Sequence, residues 1–573
     1  MAILAIDSDT FSGRHVAWAA GLLLATVVVH FLHRGYQVRS MYRTLQNQGF
    51  PVMEHSWVLG HLKIVGKLLQ DMPSDAHGNY LPMLILENWR TLYPNCTQRP
   101  PVVYLDMWPF AQPLLLPMTL PVAVQVTQER SLIKALEQKD ILHPLTRNRD
   151  ISSMEGAEWK LWRKRLNPGF SIQTITGRIP DLMDEVEKFY AALESRAGPN
   201  GTWGAVFPLE TETIKLALSI IFRFFFGPRV QARLADKQAE LENAVVDSVK
   251  RMIFFIHIGN FLTYWGPWRR FKLWRNYRTM MSGFGPVLEQ RLTELTQQGG
   301  DEKRTDTLVD AIVEGFQVDR ENGEPNTSDD DFIELAVGQI GTFIFAGHDT
   351  TASAICWVLH LLAQHPDVLA RMRAEHDAVL GPDPAQVAAA IRANPHLINT
   401  LTYTNAVIKE TTRVNPNVGT MRRGEPGYFI TGPQGSGYEG MQFPTYGFVV
   451  WSNPFSYHRD PELWPRVHEF LPERFLVADN DPLHPQKDAW RFFEMGPRNC
   501  IGQYLALTEI KLALAIIVRQ LDIECAWDEW DRKTGNKKAR SVWQDRAYHV
   551  GTDSPPHVKD GMPVHIRLRQ PKQ

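Results

Sequence analysis

The strongest hydrophobic pattern in the chain lies near its amino end. Residues 16–32 read VAWAAGLLLATVVVHFL, in which Thr26 and His30 are the polar exceptions. A helix of about 17 to 25 apolar residues crosses a bilayer, so this run predicts one transmembrane anchor over residues 15–33. The alternative is a cleavable signal peptide, which has a shorter apolar core with small residues after it, whereas His33 and Arg34 follow here.

The pattern in the rest of the chain is mainly helical. The runs VVYLDMW (102–108) and VAVQVT (122–127) are short and rich in β-forming residues, and they predict a small early sheet. Long helical patterns follow, separated by proline and glycine. The longest begins after the acidic cluster 328–331 and ends at His365, before Pro366, which gives a helix about 50 Å long at 1.5 Å per residue.

Charged residues beside the apolar run predict its orientation in a membrane. Arg34 and further arginines follow the run closely, while Asp7 and Asp9 precede it. Because positive residues favour the cytoplasmic side, we expect the part after the anchor to be cytosolic. This orientation divides the chain into a lumenal end at 1–14, the anchor at 15–33, a linker at 34–60 and a cytosolic domain at 61–573.

The overall composition excludes several classes of protein. The chain has 61 basic and 63 acidic side chains, so its formal charge of −2 provides no general field for nucleic acid, and we expect no such partner. Hydrophobic residues make up 44% of the chain, which is typical of a globular domain with a large core. Neither a disulfide framework nor a zinc site is expected from four widely spaced cysteines without a CxxC pair: Cys96, Cys356, Cys500 and Cys525.

The centre of the long helix carries polar residues that are unusual in an apolar helix. Residues 346–353 read AGHDTTAS, while the flanking segments are apolar nearly all round, which implies burial. Glycine in a helix interior costs about 1 kcal/mol, and a buried carboxylate such as Asp349 needs a partner. A solvated helix face is the alternative, but the apolar flanks favour a functional role for Asp349 and Thr350.

A second group of unusual residues surrounds Cys500 in the stretch FFEMGPRNCIG (492–502). A lone cysteine is most often a small buried hydrophobe, but a deprotonated cysteine also ligates iron. Residues 501–518 have helical spacing, so a thiolate here would lie at the positive end of a helix. The pattern FxxGxRxCxG, which arises by chance with a probability on the order of 10⁻⁴ or less, is formed by Phe493, Gly496, Arg498, Cys500 and Gly502.

This pattern resembles the haem-binding loop of the cytochrome P450 family, and the other motifs follow in that family's order. Glu410 and Arg413 match its ExxR pair, and Arg474 in the stretch PERF matches the third member of a structural Glu-Arg-Arg cluster. AGHDTT matches the oxygen-binding site of the family's long central helix. The resemblance implies that Asp349 relays protons and that the hydroxyl of Thr350 donates them.

The resemblance also implies which side chains hold the cofactor, haem b (iron protoporphyrin IX). Cys500 would be the axial ligand of the iron. Trp159 and Arg163 match the WxxxR motif, which faces a haem propionate in relatives. Arg423 is assigned to the propionates by its spacing from the ExxR helix, and Arg422 is the alternative. The implied cofactor-binding residues are Cys500, Trp159, Arg163, Arg423, Phe493, Gly496 and Arg498.

The family implies a mainly α fold with small β-sheets, in which a helical haem domain with a long central helix follows one N-terminal membrane helix. It implies a monooxygenase for a lipophilic small molecule, similar to membrane-bound fungal enzymes of secondary metabolism in the endoplasmic reticulum. About 71 residues follow Gly502, too few for a flavin domain, so we expect electrons from NADPH-cytochrome P450 reductase, with cytochrome b5 as a second donor. A haem-thiolate isomerase or dehydratase and a haem sensor or membrane scaffold remain as alternatives.

Several segments are candidates for contacts with substrate, membrane or electron donor. The aromatic segment 252–268 is a candidate roof of the entrance or membrane contact, with core packing as the alternative. Lys160 and Lys164 lie one helical turn apart and are candidates for docking the electron donor, with a solvated face as the alternative. The candidate walls of the substrate pocket are 141–154, 343–346, 418–421 and 550–556.

Overall fold

The computed structural model of the protein describes residues 13–252, 266–298, 307–323, 327–536, 540–551 and 556–570. The α-helices are Gly13–Asn47, Leu62–Leu69, Leu81–Glu87, Trp89–Leu92, Leu120–Val124, Leu136–Thr146, Gly156–Leu166, Ile172–Glu194, Glu210–Val249, Pro267–Gln298, Leu308–Glu321, Asp329–Gln364, Pro366–Leu380, Val387–Ala393, Thr402–Val414, Phe455–His458, Gln503–Gln520 and Trp527–Thr534. Shorter helical turns of other types are Gly78–Tyr80, Gln125–Glu129, Pro199–Gly201, Pro384–Gln386, Pro395–Thr400, Pro472–Phe475 and Lys559–Gly561.

The strands form small sheets around this helical body. They are β1 (Val102–Leu105), β2 (Leu114–Pro117), β3 (Phe207–Pro208), β4 (Thr420–Arg423), β5 (Phe429–Thr431), β6 (Gln442–Pro444), β7 (Val449–Ser452), β8 (Leu521–Cys525), β9 (His549–Val550), β10 (His557–Val558) and β11 (Pro563–Leu568). β1, β2, β7 and β4 form a four-stranded sheet in that order, in which β2 and β7 are parallel and the other neighbours are antiparallel. β3, β11 and β8 form a three-stranded sheet, while β5 pairs with β6 and β9 with β10. The predicted fold class, mainly α with small sheets, is confirmed.

The early sheet differs from the prediction in its second strand. β1 lies within the predicted run 102–108, but it pairs with β2, and residues 122–127 are helical. Pro121 lies in the first turn of that helix, where its missing N–H leaves no helical hydrogen bond unmade. Thr127 Oγ1 donates to a carbonyl oxygen one turn back. Val122, Val126 and Thr127 are buried in this helical conformation, so tertiary packing overrides the preference of β-branched residues for strands.

The central helix (Asp329–Gln364) runs through the middle of the domain and has the ends that the sequence predicts. The Ser328 side chain caps its first turn by accepting a hydrogen bond from the backbone N–H of Asp331, and His365 follows its last residue. Most of its residues are buried, and it packs against the helix Glu210–Val249. The polar residues at its centre therefore lie inside the core.

The anchor helix (Gly13–Asn47) is longer than the predicted membrane span. Among the described residues it is the one helix long and apolar enough to cross a membrane, and an 18-residue stretch of it has a mean hydropathy of 1.4. Val38 and Tyr42 are buried against the domain, and Tyr42 Oη donates to the carbonyl oxygen of Leu105 at 2.7 Å. Residues 34–47, expected as part of a linker, therefore continue the helix and pack on the domain. Of the segment expected in the lumen, residues 1–12 lie outside the described residues.

A buried ion cluster fixes the segment that leads to Cys500. Arg413 Nε lies 2.8 Å from Glu410 Oε2, and Arg474 Nε lies 3.1 Å from Glu410 Oε1. Arg413 also donates to the carbonyl oxygen of His458, whose Nε2 accepts a hydrogen bond from the backbone N–H of Arg491. The cluster therefore connects the ExxR helix with the start of the cysteine loop.

Candidate active site

Cys500 lies at the end of a tight loop whose shape depends on glycine. Its backbone N–H donates to the carbonyl oxygen of Phe493 at 2.9 Å, which closes the loop. Gly496 has a φ of 92°, and a Cβ at this position would overlap the carbonyl oxygen of Thr127. The helix Gln503–Gln520 begins directly after the loop. The sequence motif thus builds a loop that holds the thiol next to a helix N-terminus.

The Cys500 side chain has exposed surface, and this surface faces an internal cavity of the domain. Burial raises the pKa of this thiol, while the backbone N–H of Gly502 and the positive charge of Arg163 lower it. A metal cation on the sulfur would stabilise the thiolate far more than either group does. The thiol is therefore positioned as a ligand whose anionic form needs a bound cation.

The cavity has a volume of about 390 Å³ and joins the cysteine loop to the central helix. Both Cys500 and Thr350 line it. Residues 552–555 of one predicted wall and 253–265 of the predicted roof lie outside the described residues. All four segments predicted as walls contribute lining residues: Ile141, Leu142, Ile151 and Ser152; Phe343, Phe345 and Ala346; Val418, Gly419, Thr420 and Met421; and Pro556.

Two of the arginines predicted to bind the cofactor line the cavity beside Trp159. The guanidinium carbon of Arg498 lies 4.3 Å from the centre of the Trp159 ring, and Arg498 pairs with Glu155. Arg163 donates two hydrogen bonds to Asn499, one to its carbonyl oxygen and one to its side-chain oxygen, both at 3.0 Å. Arg163 is therefore tied to the residue directly before Cys500.

A further cation in the cavity wall was not predicted from the sequence. Lys134 is buried, and its Nζ donates to Thr420 Oγ1 at 2.7 Å. Burial lowers the pKa of Lys134 well below its ordinary value, and the positive charges of Arg422 and Arg498 lower it further. Lys134 belongs to no sequence motif with fixed spacing, so its place in the cavity wall can be recognised only in the folded structure.

The strand β4 distinguishes between the two adjacent arginines considered for the cofactor. Successive residues of a strand point to opposite faces, and here Arg422 is fully buried whereas Arg423 is exposed. Arg422 Nη1 donates to the carbonyl oxygen of Leu132 at 3.0 Å, while its Nε and Nη2 have no hydrogen-bond partner within the described ranges. The strand therefore turns the side chain of Arg423, the residue assigned by spacing, away from the core, and the alternative, Arg422, is the buried arginine of the two.

The chemistry of these residues fits a haem. Burying a cation is unfavourable unless an anion accompanies it, and Arg422 keeps two nitrogens without such a partner in the described part of the chain. Arg163 and Arg498 add positive charge to the cavity wall, and Lys134 would add more if a nearby anion kept it protonated. The carboxylates of a haem would provide the missing anions, and Cys500 would provide the thiolate for its iron.

The two polar residues at the centre of the central helix face different surroundings. Thr350 lines the cavity, and its Oγ1 donates to the carbonyl oxygen of Ala346 at 2.7 Å. Asp349 is buried outside the cavity wall, with Oδ1 3.4 Å from His557 Nε2. Burial raises the pKa of Asp349, while the charges of His557 and His348 lower it. Thr350 therefore faces the cavity, while the carboxyl of the adjacent Asp349 is buried behind the cavity wall.

The cysteine loop opens onto a cavity with arginines in its wall, and polar residues of the buried central helix lie beside that cavity. This arrangement is that of a haem-thiolate protein. Residues 118–550 match the family model described as Cytochrome P450, and the chain belongs to this family. It is 35% identical over 574 residues to cytochrome P450 monooxygenase polC of Polytolypa hystricis (strain UAMH7299), covering 99% of this chain and 98% of that relative. It is 30% identical over 493 residues to cytochrome P450 monooxygenase acrF of Aspergillus aculeatus, covering 81% and 94%.

Membership of the family gives the class of activity. The chain is a haem-thiolate monooxygenase, an oxidoreductase that incorporates O2, as the sequence predicted. A third relative, cytochrome P450 monooxygenase ptmG of Penicillium ochrochloron, is 24% identical over 562 residues, 95% of this chain and 94% of its own length. The family uses a haem-iron cofactor, a redox partner and a small-molecule substrate. The predicted resemblance to fungal enzymes is confirmed by these relatives.

Proposed function

We propose that the protein uses haem b, O2 and NADPH to hydroxylate a lipophilic small molecule, or to oxidise it in a related way. The observation that carries this proposal is the single cavity that Cys500 and Thr350 share. Oxygen activation needs an iron ligand and a proton donor close to the same substrate. The relatives named as fungal monooxygenases support an intermediate of fungal secondary metabolism as the substrate.

The residues around the cavity would hold the cofactor in one orientation. In this proposal Cys500 ligates the iron, and Arg163, Arg498 and Arg422 bind the propionates. Trp159 supports the guanidinium of Arg498, which lies over its ring. Haem iron with a thiolate ligand supplies the cleavage of O2 and the transfer of one oxygen atom to the substrate.

The central helix would supply the protons that oxygen cleavage consumes. Thr350 now donates its hydroxyl hydrogen to the carbonyl oxygen of Ala346, so the hydroxyl must rotate towards the cavity to act as a donor. Asp349 is the adjacent carboxyl, and the rise in its pKa on burial makes proton release and recapture possible nearer to neutral pH. In a haem-thiolate isomerase or dehydratase this pair would have no such role.

The walls of the cavity favour a lipophilic substrate with a small number of polar groups. Phe170, Phe343 and Phe345 contribute aromatic surface, which binds apolar ligands by removing their surface from water. Thr342 and Asn417 also line the cavity, and Thr342 Oγ1 and Asn417 Oδ1 have no hydrogen-bond partner within the described residues. They would orient a hydroxyl or amine group of the substrate.

The exposed surface near Trp159 and the anchor helix support a proposed electron donor and a proposed membrane location for the enzyme. Lys160 and Lys164 are both exposed, and Lys164 Nζ lies 3.4 Å from Asp319 Oδ1. We expect these lysines to form part of the docking face for NADPH-cytochrome P450 reductase, with cytochrome b5 as a second donor. The anchor helix would hold the enzyme in the membrane of the endoplasmic reticulum as a single span, with the catalytic domain cytosolic.

Reconstitution with a reductase tests the proposed function. Extracts of a host with and without the gene supply candidate substrates, and the assay measures NADPH consumed, peroxide formed and product formed. For Thr350→Ala we expect NADPH consumption to continue while more of the reduced oxygen appears as peroxide, because the proton donor is missing. For Asp349→Asn we expect slow turnover, because the amide cannot relay a proton.

A threonine with the same helical hydrogen bond provides the matched control. Thr293 Oγ1 donates to the carbonyl oxygen of Glu289 at 2.8 Å on an exposed helix face, so Thr293→Ala removes a similar bond far from the cavity. Its coupling of NADPH to product should equal that of the wild type. Unchanged coupling in Thr350→Ala, or wild-type turnover without NADPH and O2, would contradict the proposal.

A further inference from the structure

Three ionisable side chains from separate elements meet beside the cavity. Asp349 lies in the central helix, Glu210 is the first residue of the helix Glu210–Val249, and His557 lies in β10. His557 Nε2 is 3.4 Å from Asp349 Oδ1, and His557 Nδ1 is 3.1 Å from Glu210 Oε1. The imidazole ring therefore bridges two carboxyl groups.

The two carboxyl groups are buried, whereas the imidazole is partly exposed. The side chains of Asp349 and Glu210 are 4% and 9% exposed, and that of His557 is 25% exposed. Two buried carboxylates are unfavourable without a cation between them, which favours a ring protonated on both nitrogens. Burial by itself lowers the pKa of His557, but the hydrogen bond to Glu210 and the charge of Asp349 raise it to about 9.

Few other described residues can exchange a proton with Asp349. Its Oδ2 has no hydrogen-bond partner in the described part of the chain, so Oδ1 beside His557 is the oxygen with an ionisable neighbour. His348 also faces Asp349, but its Nδ1 contacts the carbonyl oxygen of Ile344 and its ring is buried. His549 lies near His557 and is buried, and burial holds its pKa well below the ordinary value.

We propose that His557 supplies protons from solvent to Asp349, and that Glu210 holds the imidazolium ring in place. The proposal rests on the proposed function, in which Asp349 passes protons towards Thr350. The proton that Asp349 passes on comes from His557: the Nε2 proton of the imidazolium ring moves to Oδ1 of the Asp349 carboxylate, while the Nδ1–H remains hydrogen-bonded to Glu210. The ring then regains a proton at Nε2 from a hydronium ion or buffer acid that enters at its exposed edge. The 3.4 Å separation is an ion-pair distance, so transfer requires closer approach or one bridging water.

The substitution His557→Gln tests this positioning residue in the full-length holoenzyme with its reductase. Glutamine is polar and of similar length, but it cannot carry a proton between the two carboxyl groups. We expect kcat to fall about tenfold with KM unchanged, because proton delivery contributes to the rate and His557 is not part of the cavity wall. The solvent deuterium isotope effect on kcat should increase, because proton delivery becomes rate-limiting.

A buried histidine elsewhere in the fold is the matched control. His376 is buried, and its Nε2 is 2.8 Å from Thr404 Oγ1, away from the cavity lining. The control substitution His376→Gln should leave both kcat and the isotope effect at the wild-type values. If the wild type forms product with NADPH and O2 but His557→Gln does so at the same rate and with the same isotope effect, the proposal is overturned.

The pH dependence of the melting temperature gives a readout independent of turnover. The pKa of His557 rises from an ordinary 6.5 to about 9 on folding, so its charged form stabilises the folded state fully below pH 6.5. This stabilisation is lost as the pH rises through about 9. The melting temperature of the wild type should therefore exceed that of His557→Gln most at the low end of this range, and the gap should shrink at the high end. A gap independent of pH would contradict a protonated bridge.

The substitution His557→Lys separates proton supply from simple charge pairing. Lysine keeps a positive charge between Asp349 and Glu210, but near neutral pH it releases its proton far less readily than imidazole. We expect it to recover the melting temperature and not kcat. Recovery of kcat as well would show that charge alone is sufficient and would overturn the relay. A wild type without NADPH-dependent product would instead refute the proposed function, and this proposal with it.

Discussion

Replacing Gly496 with alanine should destabilise the loop that presents Cys500. The φ of 92° lies in the region that favours glycine, and an L residue there costs about 1 kcal/mol or slightly more. The new Cβ would overlap the carbonyl oxygen of Thr127 and lie 3.1 Å from the Cα of Gln128. Both neighbours are backbone atoms, so the loop has to move, and overpacking of this kind costs about 1–3 kcal/mol. Together the two effects should lower the free energy of unfolding by about 2–4 kcal/mol.

The control for this substitution is a glycine with the same backbone requirement and open space around it. Gly427 has a φ of 73°, and no atom lies within 4 Å of a Cβ built there. Gly427→Ala should therefore cost only the conformational part, about 1 kcal/mol. Denaturant unfolding followed by tryptophan fluorescence measures both losses, and the spectrum of the bound haem shows whether the loop still binds it. Equal losses for the two variants would refute the close contact between Gly496 and Thr127.

Two further predictions concern buried arginines. Arg422→Gln should increase the rate at which haem is lost to an acceptor protein, whereas Arg423→Gln should not, because of these two arginines Arg422 is the buried one and its Nε and Nη2 have no hydrogen-bond partner within the described residues; equal rates would contradict this assignment. Glu410→Gln should lower the free energy of unfolding by about 3–5 kcal/mol, because it removes the charge that two buried arginines share. The control Arg371→Gln breaks an exposed ion pair and should lower the free energy of unfolding by at most about 1 kcal/mol. If a denaturant titration gives similar losses for Glu410→Gln and Arg371→Gln, the buried cluster does not stabilise the fold as proposed.

Local sequence patterns predict those elements of the fold whose conformation depends on residues close together in the sequence. The central helix begins after Ser328 and ends at Gln364, because a side-chain cap and Pro366 define its ends regardless of the surrounding fold. The anchor helix is also recognisable, because its apolar run is exposed and needs no partner to identify it. The cysteine loop was predictable for a similar reason, since its glycines and Cys500 have fixed spacing.

Features that depend on packing between distant segments were not predictable. Residues 122–127 contain β-branched side chains but form helical turns, because packing in the folded chain buries Val122, Val126 and Thr127 in that conformation. The choice between Arg422 and Arg423 depends on which face of β4 meets the core, and a shift of one residue reverses it.

The bridge between Glu210 and Asp349 depends on β10, which is far from both in sequence. His557 therefore gives no spacing signal that could indicate its place beside the central helix.

The carbon monoxide difference spectrum of the reduced Cys500→Ser variant tests whether Cys500 ligates the haem iron. We expect the red-shifted Soret band of the ferrous carbonyl form to disappear, because a serine hydroxyl lacks the negative charge of the thiolate. Serine substitutions at the other three cysteines should leave the band unchanged, because none of them lines the cavity: Cys96, Cys356 and Cys525. Persistence of the band in Cys500→Ser would mean that another residue ligates the iron and would contradict the account.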